Sequence, residues 1–170
     1  QNAAVTIATI PVDAKRATSF GIMKVDQNGY INSFIEKPDK SILPNWKSPV
    51  TPELVEEGRD YLASMGIYIF NRKALRDLLN ENPNATDFGK ELIPIALKEG
   101  SQVASYMFDG YWTDIGDIES FFEANIELAN DIPNFNLFDN VNKIFTRPRQ
   151  LPPSKLQGTT CTNSIIAEGC

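Results

Sequence analysis

The chain has 170 residues, 42% of them hydrophobic and 22% charged, a composition that suits a globular domain with one main core. Sixteen Lys and Arg against 22 Asp and Glu leave a net charge of -6 with no basic block longer than two neighbours, which excludes nucleic-acid binding through phosphate neutralisation. Histidine is absent, which removes Ser-His-Asp and Cys-His nucleophiles, imidazole bases and His-ligated zinc, and leaves carboxylates, lysines and hydroxyls to do any chemistry.

The opening QNAAVTIATIPVD lacks the basic stretch of a secretory signal, and no apolar run approaches the roughly 18 residues of a membrane span, so a soluble, cytoplasmic protein is expected. Residues 5–10 alternate β-formers and stop at Pro11, predicting a strand that leaves a sheet there. Residues 20–25 and 30–35 are two further strand patterns around Asp26-Gln27-Asn28-Gly29, whose Asn-Gly suits a tight hairpin. Residues 38–52 hold four prolines and predict a surface excursion or flap. Residues 62–70, LASMGIYIF, read as a strand buried on both faces.

Asn71 is placed to cap a helix to about residue 80, with Ala74, Leu75, Leu78 and Leu79 on its inner stripe. Asp87 is placed to cap a second helix by accepting from the Lys90 N–H, with Leu92, Ile93, Ala96 and Leu97 inward and Gly100 past its end. Residues 103–108 predict a strand, and Asp117 caps a helix over 118–130. Strands alternating with helices predict an α/β layered domain. Beyond Pro133 the texture turns to Asn and Pro with a short β run at 143–146, then TNSIIAEGC, which suits one turn of a hexapeptide-repeat β-helix. Cys161 and Cys170 are too few for a disulfide framework and read as small core residues.

Four places carry candidate chemistry. Glu36-Lys37-Pro38 ends a strand, where a lysine suits a phosphate and a carboxylate suits sugar hydroxyls; an exposed ion pair closing a hairpin is the simpler reading of these residues alone. Ser64 and Tyr68 lie four apart on one strand with Gly66 between them, fitting either a sugar or a satisfied core. Asp87-Phe88-Gly89 reads first as a helix start and second as a sugar clamp. Asp114, after Tyr111-Trp112-Thr113, is either a ligand for a hard cation such as Mg²⁺ or a second cap beside Asp117.

Taken in order, FGIMKVD, FIEKP, ASMGIYIF, DFGKELIP, YWTDIGDIESFFEAN and LPPSK resemble the bacterial and plant ADP-glucose pyrophosphorylases (glucose-1-phosphate adenylyltransferases) from about residue 3 to the end. The resemblance implies a Rossmann-like, GT-A-like nucleotidyltransferase fold. Its second half would occupy residues 1–133, followed by a linker at 134–157 and the first coil of a left-handed parallel β-helix at 158–170. It implies that Lys37 holds the phosphate of glucose 1-phosphate and that Glu36 contacts the sugar. Gly21 would approach the same substrate through its backbone, Ser64, Tyr68, Asp87, Phe88 and Trp112 would line the glucose pocket, and Asp114 would be one of two aspartates on Mg²⁺.

The implied reaction joins ATP and glucose 1-phosphate into ADP-glucose and pyrophosphate for glycogen or starch synthesis, in a homotetramer, cytoplasmic or, in a plant, plastidic. A transferase for another nucleotide (UDP- or dTDP-glucose type) and a non-catalytic regulatory subunit are the alternatives. The family's Gly-rich phosphate loop and its other metal aspartate have no counterpart in these residues. The chain is therefore expected to be part of a longer polypeptide, and inactive by itself.

Overall fold

The computed structural model describes residues 3–145 and 150–167. They fall into two compact units, Gln1–Asp109 and Gly110–Cys170. In the first, strands β1 (Val5–Val12), β2 (Gly21–Val25), β3 (Ile31–Glu36), β4 (Tyr61–Phe70) and β5 (Val103–Met107) form one sheet in the order β3-β2-β4-β1-β5. Only β1 and β5 run parallel, so the sheet is mixed. Val5, Ile7, Met23, Ile31, Leu62 and Val103 form its core together with Ile93, which arrives from a helix. Each such side chain contributes about 1.5–3 kcal/mol by leaving water.

The hairpin forms as its turn residues dictate. Asp26 Oδ1 accepts from the N–H groups of Asn28 (2.8 Å) and Tyr30 (2.9 Å), and Gly29 takes the left-handed conformation at φ +82°. Strand β1 differs from expectation in running through Pro11 to Val12. Its pairing with β5 ends at Thr9, so Pro11 sits where β1 has a neighbour on one side only.

Strand β4 corrects the sequence reading more deeply. Its first half, Tyr61 to Met65, is buried, but Ile67 is 51% and Ile69 72% exposed, so the strand is not covered on both faces. The pairing also breaks: Ile7 faces Tyr68 and Thr9 faces Ser64, leaving Met65, Gly66 and Ile67 opposite Ala8 alone. This wide bulge turns on Gly66 at φ +71°.

The proline-rich excursion contains a 3-10 turn (Leu43–Trp46) and a short helix, α2 (Pro52–Glu56), which follows α1 (Ala14–Ala17). It is pinned rather than free. Leu43 is 2% exposed, Ser48 Oγ donates to the Met23 carbonyl at 2.8 Å, and Lys47 pairs with the buried Asp60 at 2.6 Å.

Helix α3 (Arg72–Glu81) begins at Asn71, whose side chain accepts from the N–H of Lys73 and Ala74 as expected. Leu78 is buried, whereas Leu79 is 40% exposed and leaves the predicted stripe. Residues Phe88–Leu92 form a π-helical turn before helix α4 (Ile93–Lys98). Pro94 explains the widening, because its ring would strike the Lys90 carbonyl in a regular helix and it has no N–H to offer. Leu92, Ile93 and Ala96 face inward and Gly100 closes the segment at φ +78°.

The second unit holds helix α5 (Ile118–Leu128), with the Asp117 carboxylate accepting from the Ser120 N–H at 2.7 Å. Tyr111 stacks on Phe135 at 6.0 Å and its hydroxyl donates to Glu127 at 3.1 Å. Two expectations fail here. Residues 143–145 are not a strand, and Cys161 is exposed rather than a core residue; Thr146 and Cys170 lie outside the described residues. Residues 158–167 contain no regular element, although Ser154 Oγ donates to the Ala167 carbonyl at 2.6 Å.

Candidate functional site

Glu36 is the last residue of β3 and stands directly across from Gly21 of β2. A Cβ built on Gly21 would lie 2.8 Å from Glu36 Oε2 and 2.5 Å from Phe34 Cζ. Phe34 and Glu36, two apart on β3, share one face, and both lean over the vacant position. The sequence reading had Gly21 approach a substrate; its contacts here give it a nearer task, making room for these two side chains.

Lys37 follows at φ +46°, left-handed for a residue with a Cβ, its N–H donating to the Phe20 carbonyl at 3.0 Å. Such a conformation costs on the order of 1–3 kcal/mol and persists only where neighbours enforce it, here a backbone bond on one side and the buried ring of Pro38 on the other. The Lys37 side chain is exposed beyond the strand end.

Ser64 and Tyr68 flank the bulge of β4. Their hydroxyls stand 3.5 Å apart and the Gly66 N–H donates to Ser64 Oγ at 3.3 Å, so the bulge folds the pair onto each other instead of leaving a gap between them. The Tyr68 ring stacks on Phe88 at 5.8 Å, and Phe88 tilts against Phe70 at 5.5 Å. Aromatic pairs of this kind contribute about 0.5–1.5 kcal/mol beyond their burial.

Asp87 precedes the π-helical turn, with Oδ1 accepting from the Lys90 N–H at 2.7 Å as the sequence predicted. Glu91 completes the turn: its Oε2 accepts from the N–H groups of Thr86 (2.6 Å) and Asp87 (3.1 Å). Those two donors, Thr86 first, hold the Glu91 carboxyl below the usual glutamate range. Gly89 is buried, and a Cβ there would lie 3.2 Å from Glu36 Oε2 and 3.5 Å from Asp87 Oδ1.

The structure thus brings together Gly21, Glu36, Asp87, Phe88, Ser64 and Tyr68, with Lys37 adjoining them. Carboxylates, hydroxyls and an aromatic face in one place suit a polyhydroxylated ligand, and the neighbouring cation suits an anionic group on it. Trp112 and Asp114 belong to the second unit, where Trp112 is half-buried and Asp114 exposed. Asp117, not Asp114, accepts the capping bond of α5, and Asp114 Oδ2 lies 3.0 Å from where a Cβ on Gly116 would be. Among the described residues no three His, Cys, Asp or Glu side chains gather to hold a metal. The exposed Asp114 carboxylate is a single hard oxygen donor, a kind Mg²⁺ accepts when phosphates and water complete its shell.

Sequence reasoning missed Phe34, Phe70 and Glu91, and named Gly89 as part of a helix start or sugar clamp without its contact to Glu36. Glu91 carried a signal, an acidic residue four after Asp87, but a capping box places it three after; the π-helical turn supplies the extra residue. Nothing in the sequence tied Gly89 to Glu36, because that contact depends on β3.

Residues 1–131 match the family described as "Nucleotidyl transferase". The chain is 43% identical, over an alignment of 175 residues, to the "Glucose-1-phosphate adenylyltransferase small subunit, chloroplastic/amyloplastic" of Triticum aestivum. That alignment covers 99% of this chain and 37% of the relative, so the chain spans well under half the length of the curated relative it matches. With most of its length matched by that family, this chain belongs to the nucleotidyl transferases.

Proposed function

We propose that this chain supplies the sugar-phosphate side of a glucose-1-phosphate adenylyltransferase, which joins ATP and glucose 1-phosphate into ADP-glucose and pyrophosphate. The observation that carries this reading is the gathering of Glu36, Asp87, Ser64, Tyr68 and Phe88 beside Lys37, a set matched to a hexose bearing one phosphate. In the reaction an oxygen of the sugar phosphate forms a bond to the α-phosphorus of ATP while the bond from that phosphorus to the β-phosphate oxygen breaks. Pyrophosphate leaves with the electron pair. The work of the protein is to align two anions and offset their repulsion, worth several kcal/mol in a site that excludes water.

Lys37 binds the sugar phosphate as a point charge, held by its backbone in an orientation a free loop would not keep. Glu36 and Asp87 accept from sugar hydroxyls, Ser64 and Tyr68 exchange hydrogen bonds with them, and Phe88 offers an apolar face to the ring. In its own unit, Asp114 would hold Mg²⁺, which supplies Lewis-acid stabilisation of charge on the phosphates, and Trp112 would add a pocket wall. The reading extends to a GT-A-like arrangement for residues 1–133, a linker at 134–157, the first coil of a left-handed β-helix at 158–170, and a homotetramer with allosteric control. It places the protein in the cytoplasm, or in the plastid of a plant. No helix among the described residues is long and apolar enough to cross a membrane.

Titration calorimetry of the chain with glucose 1-phosphate, beside glucose and inorganic phosphate, tests the substrate. Glucose 1-phosphate should bind tightest, since only it engages Lys37 and the hydroxyl-binding groups together. Equal binding of all three, or none, would sink the reading.

A further inference from the structure

Glycine 89 holds a position the reaction chemistry does not explain. It is buried in the first turn of the Asp87 segment, and its φ is not among the left-handed glycines, so nothing in its backbone requires the absence of a side chain. What a side chain would meet is one close atom. A Cβ at this position would stand 3.2 Å from Glu36 Oε2, near enough that the carboxylate must give by a few tenths of an ångström, whereas Asp87 Oδ1 at 3.5 Å and Phe34 Cζ at 3.8 Å would be ordinary contacts. The same Glu36 oxygen would stand 2.8 Å from a Cβ on Gly21. One oxygen of the Glu36 carboxylate thus packs close to two glycines, one on the hairpin and one on the turn.

We infer that Gly89 is a positioning residue, its missing side chain being what allows the Glu36 carboxylate to settle between the β2–β3 hairpin and the Asp87 turn. The inference rests on the proposed reading of Glu36 as a contact to the sugar. It explains why a turn that would otherwise favour alanine carries glycine, which costs about 1 kcal/mol relative to alanine within helical structure. The turn cannot easily move away. It is fixed by Glu91 on the Thr86 and Asp87 amides, by the Asp87 cap on Lys90, and by Leu92 and Ile93 in the core. Phe34 closes the hairpin side. A methyl group at position 89 therefore shifts the Glu36 carboxylate by a few tenths of an ångström, because it is the only one of the three neighbours approached more closely than ordinary contact.

Gly89→Ala tests this in the intact polypeptide by kinetics, thermal melting and the ¹³C resonance of the Glu36 carboxyl. The KM for glucose 1-phosphate should rise about tenfold, that for ATP should hold, and the melting temperature should stay level or rise. The Glu36 resonance should move. In Gly89→Ala, the further change Glu36→Asp, which withdraws the carboxylate by one methylene, should cost less than it does in the unaltered protein, a coupling that a purely structural role would not produce. An unmoved Glu36 resonance overturns the inference, as does a parallel rise in both KM values or a collapse of the fold, since each means that something other than Glu36 gave way. If the unaltered protein binds no glucose 1-phosphate yet the Glu36 resonance moves in the variant, the function reading fails and the positioning of Glu36 by Gly89 stands.

Discussion

Each candidate carboxylate of this chain leans toward a glycine, but the two units do it differently. In the first, Glu36 comes close to both Gly21 and Gly89, which belong to a strand and to a helical turn far apart in sequence. In the second, the three atoms nearest a Cβ on Gly116 belong to Asp114, two residues away, in a segment with no regular structure. The proposed sugar-side carboxylate Glu36 thus meets glycines from two elements far apart in sequence, whereas the glycine that Asp114 approaches lies in its own loop. A group held from several sides is ready before its ligand arrives; one held locally takes its final geometry from the ligand.

The sharpest test of that contrast is Asp114→Asn in the intact polypeptide. It keeps the loop's size and removes the charge a metal would need, so kcat should fall about a hundredfold while the KM for glucose 1-phosphate changes little. An undiminished kcat at saturating Mg²⁺ would remove the metal from Asp114. If Lys37 binds the sugar phosphate as proposed, Lys37→Ala should instead raise the KM for glucose 1-phosphate roughly ten- to thirtyfold and that for ATP much less, because the lost charge would serve ground and transition states alike. Lys37→Gly separates the two properties of the residue. It should lose the same affinity yet gain about 1 kcal/mol of stability by relieving the left-handed strain, read as a higher midpoint in denaturant.

What the sequence disclosed follows the same division. Features decided within four or five residues were legible: the Asp26–Gly29 turn, the Asn71 and Asp117 caps, and the Asp87 bond to Lys90. Those decided by a partner strand were not. The bulge at Met65–Ile67 exists only against Ala8, and the exposure of Ile67 and Ile69 depends on what the sheet leaves uncovered. The strand pattern at 62–70 gave no hint of either, since an apolar run reads the same whether one face is covered or two. At the candidate site the residue types were visible and their supports were hidden. Phe34 looked like any strand aromatic, and Gly89 like part of a helix start.

Tyr68→Phe probes the bulge with a smaller effect. The ring stays stacked on Phe88, but the hydroxyl beside Ser64 is lost, so affinity for glucose 1-phosphate should fall about three- to tenfold, one hydrogen bond's worth, with the fold intact. No change in affinity would mean that the Ser64–Tyr68 pair serves the sheet rather than a ligand.

The smallest expected effect concerns pH. Glu91 has its carboxyl held below the ordinary value of 4.5 by the Thr86 N–H and then the Asp87 N–H. A depressed carboxyl pKa in the folded state means that the unfolded chain binds the proton more readily, so the stabilisation is full above the ordinary value and is lost as pH falls through the lowered one. The loss should be local, because Leu92, Ile93 and Ala96 keep α4 on the core while the Thr86 and Asp87 amides lose their acceptor. Hydrogen exchange resolved by residue reads it directly: with the intrinsic acid dependence of exchange divided out, protection at Thr86 and Asp87 should drop over that acid window while Ile93 stays protected. Glu91→Gln keeps an acceptor oxygen without the titrating proton, so its protection should be weaker at neutrality and flat across the same window. A variant as pH-dependent as the parent would show that another group, and not Glu91, fixes the turn on which Asp87 and Phe88 sit.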